Sequence, residues 1–554
     1  MIKAVINVGT DLSQGSGDVL IPSTSASGYF TDGSYNEYRS TKQNKLFESY
    51  LNFNNGEKNS KHLVDITAGY SYQDWSTESP NLPVYNAAQD SVIYPEAANP
   101  FYTKNVLLSY YGRGIYSIAD RYVLNASVRM DGSSRFSPET RWGLFPSASA
   151  AWIISEEKFM EDLSWLNMLK FRFGYGVTGQ QDGIGDYAYI SNYFEGTTTA
   201  QYLFGGVPYI VYRPGGFDAN LKWEETESYN IGLDFGILKD RVSGSLDFYR
   251  KNTTDLLATV TVPAGTNFTN EILTNVGSMR NEGIEFSINA GLVAKKDFRL
   301  DMTANVSHNI NQVLKLTQIP DSTSAGILLG GISGGIGNTV QVHRVGFPTF
   351  SFLLYEQQYD VNGAPIQAGT VAPDGTTYTE LDAFVDRNED GVINIDDRIP
   401  FGQAAPDVFM GMALNFTYKK WFGGLSMRSE LGGYIYNNIH SNAGTFQSIN
   451  GTQGFLSNIS SLYYEDETQE ITTNQLLSDH YLERADFLRM DFMNIGYNFG
   501  KLKSSNIGLN VSFVVQNVFV LTNYKGLDPE IGGGIDNNIY PRPRMYSLNL
   551  NFEF

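Results

Sequence analysis

Two-residue alternation between apolar and polar side chains, sustained through run after run, constrains this chain more than any other feature. In 64–73, Val64, Ile66, Ala68, Tyr70 and Tyr72 take one face, and Asp65, Thr67, Gly69, Ser71 and Gln73 take the other. In 122–131, Tyr122, Leu124, Ala126, Val128 and Met130 oppose Val123, Asn125, Ser127, Arg129 and Asp131. The same period recurs in 169–178, 229–235, 284–290, 298–306, 410–418, 507–513 and 546–554. A period of two places successive side chains on opposite faces of a β-strand. Helical periodicity is nearly absent, and its best candidate is the short stretch 155–165.

The runs are about 9–11 residues long, the length that crosses a bilayer as a tilted strand. Strands of soluble sandwiches are more often roughly 5–6 residues. The polar face carries Asp, Arg, Asn, Ser and Thr, as the wall of a wet or plugged lumen would. Tyr and Trp gather near strand ends, where interfacial girdles lie. A soluble antiparallel sheet with one wet face would produce part of this pattern, but not its repetition at spanning length. The predicted fold is therefore all-β: a transmembrane antiparallel β-barrel with short turns at one rim and long extracellular loops at the other. The long segments are 179–225, 310–350, 355–405 and 435–480. The Gly-rich stretch 326–338 lacks the residues of a nucleotide loop and reads as a flexible loop. Residues 1–44 read as an irregular N-terminal segment and 45–554 as the barrel.

Composition agrees. Aromatics are 14% of the 554 residues, with 35 Tyr, 34 Phe and 55 Gly. Mean hydropathy is −0.25, a value that misleads for a barrel wall because lipid-facing and lumen-facing residues cancel. With no Cys, disulfides, thiolate metal sites and thiol nucleophiles are excluded. A net charge of −20 disfavours nucleic acid as a partner. The opening residues MIKAVINVGTDLSQGSG do not form a signal peptide, so an export signal is expected outside this sequence.

Three stretches resemble SusC/RagA-type TonB-linked outer-membrane proteins. They are Arg121–Trp152 (RYVLNASVRMDGSSRFSPETRWGLFPSASAAW), the Asp-rich loop and strand 386–419, and the close from Asn517 to Phe554, which ends GIDNNIYPRPRMYSLNLNFEF. The resemblance runs from about residue 45 onward. It implies a 22-stranded barrel with an N-terminal plug in the outer membrane of a Gram-negative, Bacteroidetes-like cell. It also implies a SusD-like surface lipoprotein as lid, energy from the TonB complex, and import of glycans, oligosaccharides or peptides. Phe554 matches the terminal signal read by the barrel assembly machinery; it is equally the last side chain facing outer-membrane lipids. The chain departs from the family in showing no plug, TonB box or signal peptide. It offers roughly 14–16 spanning strands against the 22 of plugged transporters. The expectation is the C-terminal part of a longer transporter. A passive porin-like or structural barrel and a secreted all-β carbohydrate-binding protein are the alternatives.

The sharpest local motif is 386–397, DRNEDGVINIDD. Oxygen-bearing side chains stand at loop positions 1, 3, 5 and 12, with Gly at position 6, the spacing that wraps ligands around calcium. Asp386, Asn388, Asp390 and Asp397 would ligate by side chain, Val392 by its carbonyl, and Asn394 directly or through water. The ion would be structural Ca2+ or another divalent cation; the alternative is a solvated Asn/Asp/Gly turn. No catalytic set emerges. His62, His308, His343, His440 and His480 are scattered, and Asp65, Asp131, Asp234 and Asp301 read as wall residues. Tyr187, Tyr189, Tyr193 and Tyr202 could stack on sugars, although loop packing is the simpler role.

Overall fold

The computed structural model describes residues 1–554 except 26, 57–60, 97–100, 197–200, 263–264, 318–324, 335–336, 451–455, 457, 469 and 502–506. The chain divides into two compact units, 1–152 with 173–229 and 253–277, and 153–172 with 230–252 and 278–554.

The first unit is built on an antiparallel ladder in which each strand pairs with the next. Its strands are β1 (Ile2–Ile21), β2 (Ser34–Asn54), β3 (His62–Ser79), β4 (Phe101–Ile118), β5 (Tyr122–Ser133) and β6 (Trp142–Ile153). β3 and β4 pair without a break from His62↔Ile118 to Ser79↔Phe101. Then follow β7 (Leu166–Gln180), β8 (Glu224–Ile237), β9 (Val242–Thr261) and β10 (Glu271–Lys295). The second unit continues from β10 through β11 (Phe298–Lys315), β12 (Val408–Tyr418), β13 (Trp421–Leu431), β14 (Phe487–Lys501), β15 (Gly508–Thr522) and β16 (Met545–Glu553). Here too each strand is antiparallel to the next.

The first 44 residues, expected to be irregular, form β1 and the first half of β2. The middle of β1, Gly9–Asp18, is polar on both faces except for Leu12, so alternation lapses between the apolar stretches Ile2–Val8 and Val19–Ile21. The spanning strands are 9 to 25 residues long. The 155–165 stretch forms two 3-10 turns, Ile154–Glu156 and Lys158–Met160, in place of a helix.

Connections alternate in length. β10 and β11 are joined by residues 296–297 and β12 and β13 by 419–420, whereas β11 and β12 are separated by 316–407 and β13 and β14 by 432–486. The expected loops 310–350 and 355–405 therefore belong to one connection. Ser351–Leu354, between them, joins a small sheet of Ile327–Gly331, Thr339–His343 and Ile399–Gln403. This corrects the reading of 326–338 as a flexible loop: Ile327–Gly331 is a paired strand and Ile332 is buried. Residues 335–336 of that stretch lie outside the described ones.

Apolar side chains of the ladders point outward. Ile66, Leu124, Val128, Ile284, Ile495 and Phe513 are all more than one-third exposed. A soluble protein would press such faces together, and their exposure removes the secreted-protein alternative. Burial concentrates elsewhere. In the first unit, Phe136, Phe145, Ile184, Leu221 and Trp223 form a core, with Trp223 5.1 Å from the Phe136 ring and 5.3 Å from that of Phe145. Gly143 and Gly179 make room for it: a Cβ on either would come within 2.4 Å or 2.1 Å of the Phe145 ring. In the second unit, Val340, Phe352, Leu354, Ala383, Phe384 and Tyr436 form a fully buried core within the long connections.

Candidate functional site

The polar face of each ladder is a lattice of paired charges. Asp65 accepts hydrogen bonds from Asn52 (2.8 Å) and Asn54 (2.9 Å). Asp131 pairs with Arg129 at 2.7 Å and Asp301 with Arg299 at 2.6 Å. Arg172 bridges Asp234 (2.7 Å) and Asp247 (2.9 Å), with Lys170 also on Asp234. The acids read from sequence as wall residues are thus held by neighbouring cations or amides.

Near the upper end of β14 the lattice becomes buried. Arg489, 2% exposed, donates to Asp528 at 2.5 Å and to Asn517 at 3.0 Å, with Glu530 at 3.2 Å. Arg428 reaches Glu530 and Asp491, and Arg542 closes the group on Glu530 at 2.8 Å. Sequence reading missed this network because its members lie on β13, β14, β15 and the 523–544 connection. Only three-dimensional pairing brings them together.

The 386–397 loop is ordered by its own hydrogen bonds. Both Asp397 carboxylate oxygens accept backbone N–H groups, from Arg387 and Asn394, each at 2.8 Å. Asp386 Oδ2 accepts from Gly391 N (2.8 Å), Asn388 Oδ1 from Asp390 N (3.1 Å) and Asp390 Oδ1 from Val392 N (2.8 Å). Asn394 caps the turn Ile395–Asp397 and donates to the Val392 carbonyl at 3.3 Å. Gly391 has φ +81°, the left-handed turn expected at position 6. All six residues proposed as ligands therefore lie in one turn, and Asp386 Oδ1 is buried without a partner. The Asp386, Asp390 and Asp397 carboxylates do not, however, converge within 4.8 Å of one another.

Among the described residues, the titratable groups that do converge in this way are His440, Asp466 and His480. Sequence reading placed these histidines apart, since forty residues separate them and no spacing motif joins them. Burial opposes charge on Asp466, but its interactions with the two imidazoles prevail and hold it below the usual carboxylate range. The tyrosine cluster separates. Tyr189 packs against the Phe136 core, Tyr187 donates to the Lys104 carbonyl, and Tyr193 and Tyr202 lie exposed on different short hairpins. Phe554 follows β16 and is 98% exposed.

These features agree with comparisons to known proteins. Residues 5–518 match the family described as TonB dependent receptor-like, beta-barrel. The chain belongs to this family. It is 40% identical over 462 residues to the TonB-dependent receptor SusC of Bacteroides thetaiotaomicron, covering 82% of this chain and 44% of SusC. It is 30% identical to the TonB-dependent receptor P39 of Formosa agariphila, covering 92% of this chain and 52% of that one. The solved structure of the RagAB peptide transporter superposes with a TM-score of 0.80 at 21% identity, covering all of this chain and 60% of that one. At that identity the likeness concerns the fold. The chain thus spans about half the length of the curated relatives it matches, and it is a transmembrane β-barrel chain of the SusC/RagA group, located in the outer membrane.

Proposed function

We propose that this chain is the C-terminal barrel portion of a TonB-dependent importer that takes glycans, oligosaccharides or peptides across the outer membrane. The observation that carries this reading is the 40% identity to SusC over 82% of the chain. A SusD-like lipoprotein would cover the long connections, and the TonB complex would act through a plug carried by further polypeptide. The coverage supports that last element, since the match spans 44% of the length of SusC. Phe554, free at the end of β16, suits recognition by the barrel assembly machinery.

The test is uptake of labelled oligosaccharides and peptides by cells with and without the gene, repeated after TonB is inactivated. Loss of one cargo class in both backgrounds supports the reading. Uptake that needs the gene but survives loss of TonB would assign a passive porin instead.

The 386–397 loop has a second, structural role in this reading, holding a calcium ion through Asp386, Asn388, Asp390, Val392, Asn394 and Asp397. The orphaned Asp386 oxygen and the position-6 glycine support it.

A further inference from the structure

His440, Asp466 and His480 come from three separate segments of the 432–486 connection: the helix Asn438–Ala443, the end of the helix Tyr463–Asp466, and the 3-10 turn Asp479–Tyr481. Asp466 Oδ2 lies 2.9 Å from His480 Nε2 and 3.3 Å from His440 Nε2, and the three atoms fall within 4.8 Å of one another. We propose that these three side chains bind a borderline divalent transition metal, zinc in the first instance.

Three features carry the proposal. The first is spacing. With bonds of about 2.0–2.1 Å to N and O, ligand atoms around tetrahedral zinc sit roughly 3.3 Å apart; the His440–Asp466 separation of 3.3 Å equals that value and the His480–Asp466 separation of 2.9 Å is slightly shorter. The second is an unsatisfied group aimed at the centre. His440 is 3% exposed, and its Nε2 is buried without a hydrogen bond, with Asp466 Oδ2 at 3.3 Å. A metal would occupy the lone pair of this buried nitrogen. The third is outer support, which fixes ligand orientation in metal sites. Tyr359 Oη lies 3.3 Å from His480 Nδ1 and turns Nε2 inward. Asn437 caps the helix carrying His440, accepting from its backbone N–H at 3.0 Å. Thr468 N donates to Asp466 Oδ1 at 3.3 Å, leaving Oδ2 for the cluster. Imidazole and carboxylate together favour zinc and its neighbours over calcium or magnesium, so this site is chemically distinct from the 386–397 loop. Three protein ligands leave one corner for water.

Bound metal would tie the three segments into one unit, and its test does not depend on transport. Intact protein purified in detergent, stripped of metal and titrated with Zn2+ by calorimetry, is expected to bind one equivalent. His440→Gln, Asp466→Asn and His480→Gln should each weaken binding by about tenfold or more. Because a variant could disturb the loop by itself, Co2+ is added to the unaltered protein as an independent probe. Visible ligand-field absorption of a tetrahedral N/O site, displaced by Zn2+, supports the proposal. Absence of that absorption, or Zn2+ binding equal in the protein and all three variants, overturns it and leaves a histidine–carboxylate ion-pair cluster.

Discussion

The second unit holds two kinds of β-structure whose hydrophobic residues behave in opposite ways. On β14, Met493, Ile495 and Phe499 are 40–48% exposed, and Asn494 and Gly496, which flank Ile495, are less exposed. In the connections between β11 and β14, Val340, Phe352, Leu354, Phe384 and Tyr436 are fully buried. The first arrangement uses lipid as the apolar phase; the second makes its own, as a soluble domain does. One chain thus follows two solvent rules, and the switch falls at the strand ends.

Four perturbations can break or sharpen that contrast. The largest is expected for Phe384→Ala in the connection core. Emptying a buried aromatic site costs about 3–5 kcal/mol, spent within the connection. Proteolysis across 356–398 should accelerate while the heat-modifiable gel shift of the barrel persists. Loss of both together would show that connection and ladder unfold as one. Next comes Ile495→Arg, expected to cost about 2–4 kcal/mol on the lipid face, against little change for Asn494→Arg one residue away. Urea titration of protein folded into liposomes reads the difference, and equal costs would contradict the assignment of faces. A smaller effect is expected in the 386–397 turn. Gly391→Ala, at φ +81° with open space around the new methyl, should cost roughly 1–2 kcal/mol. Calcium chelation should speed cleavage of the same turn without changing the barrel's unfolding; cleavage that ignores the chelator would remove calcium from this loop. Smallest is Tyr202→Ala on its exposed hairpin, expected within about 0.5 kcal/mol in thermal unfolding. A larger shift would mean that the hairpin packs against something essential.

How far the sequence could be read follows the same division. Strands such as β3, β5 and β16 were legible because the bilayer forces a period of two, and a period of two needs no knowledge of partners. β1 was not, since its polar middle, Gly9–Asp18, obeys no such rule. The DxNxDG register was legible as a local turn, and its fold agrees in the Gly391 conformation and the Asn394 cap. The Arg489–Asp528 pair and the His440–Asp466–His480 cluster were invisible. Their members are 39 and 40 residues apart at the widest, and all but Arg489, on β14, lie in connections whose path is decided by packing rather than by any repeat.

The uneven connections carry a kinetic consequence. Closing a loop costs entropy that grows as the logarithm of its length. Going from the two residues 296–297 to the 92 residues of 316–407 therefore adds on the order of 3 kcal/mol. Pairs such as β10–β11 and β12–β13 can zip from their tight turns as local hairpins, whereas β11–β12 must wait for a distant encounter. Assembly of the wall is then expected to proceed hairpin by hairpin from the short-turn rim, with the long connections condensing last over a sheet already in register.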